Sequence, residues 1–122
     1  MLLLLLFASA TQAAYPDKPI RLIAPFAPGG NIDITARTIA PGMSAELGQT
    51  VVVENRGGAG GRIGTEMVAK SAPDGYTLLS APDLVFSVAP LLYTKLSYNA
   101  NKDLAPVSVL RHVAHRSEEH TS

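Results

Sequence analysis

The stretch Lys18-Pro19-Ile20-Arg21-Leu22-Ile23-Ala24-Pro25-Phe26-Ala27-Pro28-Gly29-Gly30-Asn31-Ile32-Asp33 changes character part-way. Lys18 to Phe26 is mostly apolar after Arg21 and is closed by proline and glycine, the pattern of a short strand buried in a parallel sheet. From Ile32 the apolar positions fall at Ile32, Ala36, Ile39, Ala40, Met43 and Leu47. Those steps of three and four put them on one helical face, and Gly48 ends the run. Pro41 interrupts the pattern, which predicts either a kink or a second helix carrying proline in its first turn. Strand, glycine turn and amphipathic helix, in that order, open a βαβ unit.

The same alternation continues. Gln49 to Glu54 holds the β-branched run Val51-Val52-Val53 and is bounded by Gly57-Gly58-Ala59-Gly60-Gly61, predicting a second buried strand. Ile63 to Ser71, with Ile63, Met67 and Val68 on one side, predicts a second helix, and Pro73-Asp74-Gly75 a turn that stops it. Tyr76 to Ser80 reads as a third strand, Leu84 to Tyr93 as a helix broken near Pro90, and Asp103 to Leu110 as strand again. Such an order predicts an α/β fold with a parallel, doubly wound sheet. Ligands of these sheets sit at the carboxyl ends of the strands, where the loops after Phe26, Glu54 and Ser80 all emerge.

Bulk properties narrow the function classes. In 122 residues, ten Lys and Arg balance ten Asp and Glu, and 47% of the residues are hydrophobic. The balance argues against a nucleic-acid or anionic-membrane partner, and the composition is that of a globular chain. There is no cysteine, hence no disulfide framework and no thiolate nucleophile or ligand. Leu2 to Phe7 is an unbroken apolar run followed by Ala8-Ser9-Ala10-Thr11-Gln12-Ala13-Ala14, which predicts an export signal over residues 1–13, cleaved after Ala13, with Ala10 and Ala14 as the alternative sites. The run is far short of the roughly 20 apolar residues that span a bilayer. No Lys or Arg precedes the leucines. At the other end, Arg116-Ser117-Glu118-Glu119-His120-Thr121-Ser122 lacks apolar periodicity and resembles the frame-one translation of a sequencing-adapter oligonucleotide. Residues 113–122 are therefore expected to be a non-native tail, with a solvated charged tail as the alternative, and 14–112 part of a lobe.

The loop from Ala24 to Asp33 is the candidate site. Gly29 and Gly30 let the backbone turn tightly and approach a ligand closely, and the helix start that follows offers N–H groups and a dipole to a carboxylate or phosphate. Asp33, in the first helical turn, is placed to bond an early backbone N–H if Gly30 is the N-cap, a rigidifying role rather than a catalytic one. An ordinary strand-to-helix turn accounts for the same residues. The second glycine-rich loop fails as a nucleotide site, because Gly58 and Gly60 are followed by Ile63 where a third glycine should stand, and no Gly-Lys-Ser or Gly-Lys-Thr closes a P-loop. Arg56 or Arg62 could pair with an anion or tie a loop down. The serines lack the Gly-x-Ser-x-Gly elbow, and His112, His115 and His120 all lie in the last eleven residues. No catalytic apparatus, metal site or cofactor is predicted.

Several motifs in order resemble the tripartite tricarboxylate transporter receptors, the Bug family of periplasmic solute-binding proteins. They are Tyr15-Pro16-Asp17-Lys18-Pro19-Ile20-Arg21-Leu22-Ile23, Pro25 to Gly30 with Asp33, Leu47-Gly48-Gln49, Val51 to Arg56, Gly58-Ala59-Gly60-Gly61, Ile63-Gly64 and Ala72 to Leu78. Pro90 with Leu92-Tyr93, Leu96-Ser97-Tyr98 and Asp103 to Val107 extend the likeness to about His112. The resemblance implies a type-2 periplasmic binding-protein fold of two lobes, of which this chain holds part of the first. It also implies a monomeric receptor in the periplasm that closes on a small organic acid and delivers it to a membrane permease. Two loops would hold the ligand carboxylate: Phe26, Ala27, Pro28, Gly29, Gly30 and Asp33 in the first, and Ser80, Ala81 and Ser87 in the second. Gly57 replaces the family's usual proline, and Ala81-Pro82-Asp83-Leu84-Val85-Phe86 departs from its commoner small, polar run. Asp83 beside a ligand carboxylate would repel it. Two alternatives stay open: an exported α/β enzyme acting on a small anion, and a truncated fragment with no function of its own.

Overall fold

A computed structural model describes residues 14–110. The expected export signal and the expected non-native tail lie outside the described residues. In chain order the elements are β1 (Ile20–Ala24), α1 (Asn31–Leu47), β2 (Val51–Asn55), a 3-10 turn (Ala59–Gly61), α2 (Arg62–Ala69), β3 (Thr77–Leu79), α3 (Leu84–Ser87), α4 (Ala89–Leu92) and α5 (Ala100–Asp103).

The three strands form one parallel sheet in the order β2-β1-β3. Parallel neighbours need a crossover, and α1 and α2 supply the helices for the two connections. Strand alternation then assigns the faces. Ile20 and Leu22 point to one side, opposite Val51 and Val53 in register, and pack with Ala36 and Ala40 of α1. Ile39, Met43, Leu47, Tyr76 and Leu78 close the periphery of this core. Ile23, fully buried, points to the other side, where α2 lies against β1 and β3. With both faces covered, β1 reads as continuously apolar except at Arg21, which is why a buried strand was legible there. Each fully buried Ile or Leu stabilises the fold by roughly 1.5–3 kcal/mol relative to exposure.

α1 is a single helix of 17 residues running through Pro41. No second helix start divides it. Proline removes the N–H that would bond the Arg37 carbonyl, and the exposed position of Pro41 lets water meet that oxygen. Packing of Ala36 and Ala40 against the sheet holds the helix across the defect. Gly48 caps the C-terminus, its N–H donating to the Ser44 carbonyl at 3.0 Å.

Two further expectations need correction. The strand expected over Asp103–Leu110 is instead the end of α5 followed by irregular backbone. Val107, Val109 and Leu110 are 85%, 70% and 50% exposed, and no strand among the described residues pairs with them. The helix expected over Leu84–Tyr93 with a break near Pro90 is broken two residues earlier, at Val88, into the short helices α3 and α4, with Pro90 inside the second.

At the amino edge of the sheet the N-terminal segment is clasped. Tyr15 donates its hydroxyl to the Gly75 carbonyl at 2.6 Å, its ring meets Tyr76 edge-on, and Lys18 lies 4.5 Å above the Tyr76 ring. Among the described residues, no helix is long and apolar enough to cross a membrane.

Candidate functional site

β1, β2 and β3 run parallel, so the loops leaving Ala24, Asn55 and Leu79 share one edge of the sheet. The loop after β1 is central. Pro25 is fully buried and Phe26 half-buried, while Ala27, Pro28, Gly29 and Gly30 are exposed. Gly29 has φ +83, a left-handed conformation that a side chain would strain, and this turns the chain into α1. Gly30 is the N-cap, with extended backbone and no side chain to satisfy the first helical N–H groups. The positive end of a 17-residue helix therefore opens at an exposed glycine.

Asp33 holds this loop. It is 4% exposed, and its Oδ2 accepts the Gly29 N–H at 2.8 Å, one residue further back than the cap geometry expected from sequence. Its Oδ1 accepts from Arg37 Nε and from Asn55 Nδ2, each at 2.9 Å. The Gly29 N–H and then the Asn55 amide, with Arg37 beside them, keep its carboxyl below the usual carboxylate range. Two consequences follow for ligand chemistry. The Gly29 N–H is occupied, so the positive end of α1 behind Gly30 is what remains to meet an anion. The Asp33 charge is balanced by Arg37, so a bound anion meets no uncompensated carboxylate.

The second loop begins at Ser80, whose N–H donates to the Ile23 carbonyl at 2.9 Å and extends β3 by one residue. Ser80 is 5% exposed, and no buried side-chain N or O atom among the described residues lacks a hydrogen-bond partner. Ala81 is half-buried. Ser87, exposed, donates its hydroxyl to Asp83 Oδ1 at 2.7 Å, which leaves its lone pairs rather than its proton facing outward. Asp83 is exposed at the start of α3.

The glycine-rich loop after β2 packs rather than cradles. Gly61, at φ +87, faces the Phe26 ring so closely that a Cβ there would stand 2.8 Å from Cζ. A Cβ on Gly64 would be 2.6 Å from the Arg56 carbonyl oxygen. These glycines thus let α2 close onto the ligand loop from behind. Both arginines tie structure down: Arg56 pairs with Glu54 at 3.2 Å, and Arg62 donates to the Ala59 carbonyl and stacks 3.9 Å from the Tyr93 ring.

Sequence reasoning missed Arg37 and Asn55. Arg37 was within reach, since Asp33 and Arg37 stand four apart on one helix. Asn55 lies 22 residues from Asp33 and gave no local signal. A depression of about 310 Å³ lined by Arg37, Ala40, Pro41, Ser44, Val51 and Val53, and another of about 260 Å³ around Tyr93, Tyr98 and Asn99, both lie away from Gly29 and Gly30. Among the described residues, no three His, Cys, Asp or Glu side chains group to hold a metal.

Residues 35–115, more than half of the chain, match the family described as tripartite tricarboxylate transporter family receptor. The chain belongs to this receptor family. It is 47% identical over 104 residues to protein BugT of Bordetella pertussis, covering 84% of this chain and 32% of BugT. A solved periplasmic transporter superposes with a TM-score of 0.68 at 53% identity, over 70% of this chain and 29% of that one. MatC from Rhodopseudomonas palustris, solved with bound malate, gives 0.67 at 38% identity, over 79% and 33% of the two chains. The chain thus spans about a third of the length of these tricarboxylate receptor relatives, and the α/β sheet is part of one lobe of their fold. Membership speaks for a solute receptor rather than an enzyme.

Proposed function

We propose that this chain forms part of a periplasmic receptor that captures a small organic acid for a tripartite tricarboxylate permease. The observation that carries this reading is the exposed start of α1 at Gly30, braced by Asp33 whose charge Arg37 balances. Positive helix end, free approach and a neutralised acid together make a carboxylate seat. Ser80, which opens the neighbouring loop on the same edge, brings a hydroxyl as a second polar group for such a ligand. The malate in MatC supports the chemical class.

Isothermal calorimetry of the intact gene product against malate, adipate, aromatic acids and amino acids tests the reading. Saturable binding of at least one carboxylate is expected. Silence across the panel would overturn it. The 122-residue chain alone is expected to bind weakly or not at all, because the polar groups that complete such clefts come from both lobes.

A further inference from the structure

We propose that Asn55 is the positioning residue that makes the β1–α1 loop select anions, by tying back the acceptors that would otherwise face a ligand. The inference rests on reading that loop as the ligand seat. Asn55 is the last residue of β2 and pairs in register with Ala24, the last of β1. The Arg56 N–H donates to the Ala24 carbonyl at 2.8 Å, so the backbone beneath the side chain is fixed. The Asn55 amide then reaches across to the ligand loop. Its Nδ2 donates to the Phe26 carbonyl at 3.3 Å and to Asp33 Oδ1 at 2.9 Å, while its Oδ1 accepts from Arg37 Nη2 at 2.9 Å.

This side chain has the one polarity the position tolerates. Reversing the amide would set an oxygen against a carbonyl and a carboxylate, and an NH₂ against a guanidinium, turning all three contacts unfavourable. A carboxylate at this position would keep the Arg37 contact but set an oxygen against the Phe26 carbonyl and the Asp33 carboxylate, and glutamine is too long by one methylene. The consequence concerns the sign of the ligand. The loop carries two acceptors that would attract a cation, the Phe26 carbonyl and the Asp33 carboxylate. Asn55 turns toward both, Arg37 neutralises the second, and the positive end of α1 is left as the charge that faces the guest.

Asn55→Asp in the intact gene product is the test, because it keeps the shape and removes the donor. Affinity for whichever carboxylate the parent binds should fall by about tenfold or more. The loss should shrink as the pH is lowered and the new carboxyl gains a proton to donate. Val51→Ala, at the opposite end of the same strand, opens a core cavity without touching the loop and should keep affinity within about twofold of the parent. Equal losses in both variants, or parental affinity in Asn55→Asp, overturn the proposal. Should the parent bind no acid, the reading of the seat fails, and amide exchange still judges the positioning. The Gly29 N–H must exchange faster in Asn55→Asp than in Val51→Ala, and unchanged protection overturns the role of Asn55.

Discussion

Asp33 reaches back along the chain to take the N–H of Gly29 at 2.8 Å, so the first turn of α1 holds the loop that precedes it. An acid in a first helical turn ordinarily stabilises the helix through its dipole. Here it fixes the approach to the helix instead.

Replacing Asp33 should therefore be felt at the ligand before it is felt in the fold. Asp33→Asn keeps an oxygen for Gly29 but sets an NH₂ group toward the donors of Arg37 and Asn55. Carboxylate affinity is expected to drop by about tenfold or more, measured by calorimetry alongside a melting curve. The folded protein holds this carboxyl below its ordinary range, so the brace is complete above that range and is lost only as acid carries the pH beneath it.

Acid sensitivity of the fold has a second source in Arg21 and Glu54, which meet in a two-pronged pair, both contacts at 2.8 Å, across β1 and β2. The hydrogen bond from Arg21 draws the Glu54 pKa from 4.5 down to about 2. A depressed carboxyl stabilises fully above its unfolded value and stops doing so as pH falls through the folded one. Stability should thus decline between pH 4.5 and about 2, and the decline should flatten in Glu54→Gln. Glu54 is 26% and Arg21 42% exposed, so Arg21→Ala should cost only about 1 kcal/mol at neutral pH in urea titrations.

Gly64→Ala should be among the most damaging single changes. Its Cβ would stand 2.6 Å from the Arg56 oxygen and 2.8 Å from Pro25 Cα, both backbone atoms that cannot rotate away. A loss of about 2–4 kcal/mol in chemical denaturation is expected. Gly61→Ala combines a φ of +87 with a 2.8 Å approach to the Phe26 ring, so it should weaken ligand binding as well by displacing that ring.

Pro41→Ala should raise stability by about 1–3 kcal/mol, because it restores a hydrogen bond inside a helix that runs on without one. An unchanged or lower denaturation midpoint would mean that the ring itself packs usefully.

Local patterns made most of the frame legible. The apolar run around Leu22, the three- and four-residue steps from Ile32 to Leu47 and the turn at Pro73-Asp74-Gly75 each follow from neighbours close in sequence. Asp103–Leu110 misled because β-branched residues suit a pleated surface but do not make one, and a strand exists only beside a partner. Asn55 was invisible for a related reason. Its role depends on β1 and β2 being paired in register, so that residues 22 apart in the chain meet at one edge. Pro41 looked like a boundary because propensity argues against proline in a helix, while the buried face beneath it holds the helix together.

The central strand of this sheet is the first one made. Its neighbours come from far downstream: Arg21 waits for Glu54, 33 residues on, and the clasp at Tyr15 for Gly75, 60 residues on. Every strand pairing is thus a long loop to close before any of it is rewarded, which places this domain on the slow side of folding. The acid seat is correspondingly an end product of assembly, absent from the nascent chain until the last strand that flanks it has docked.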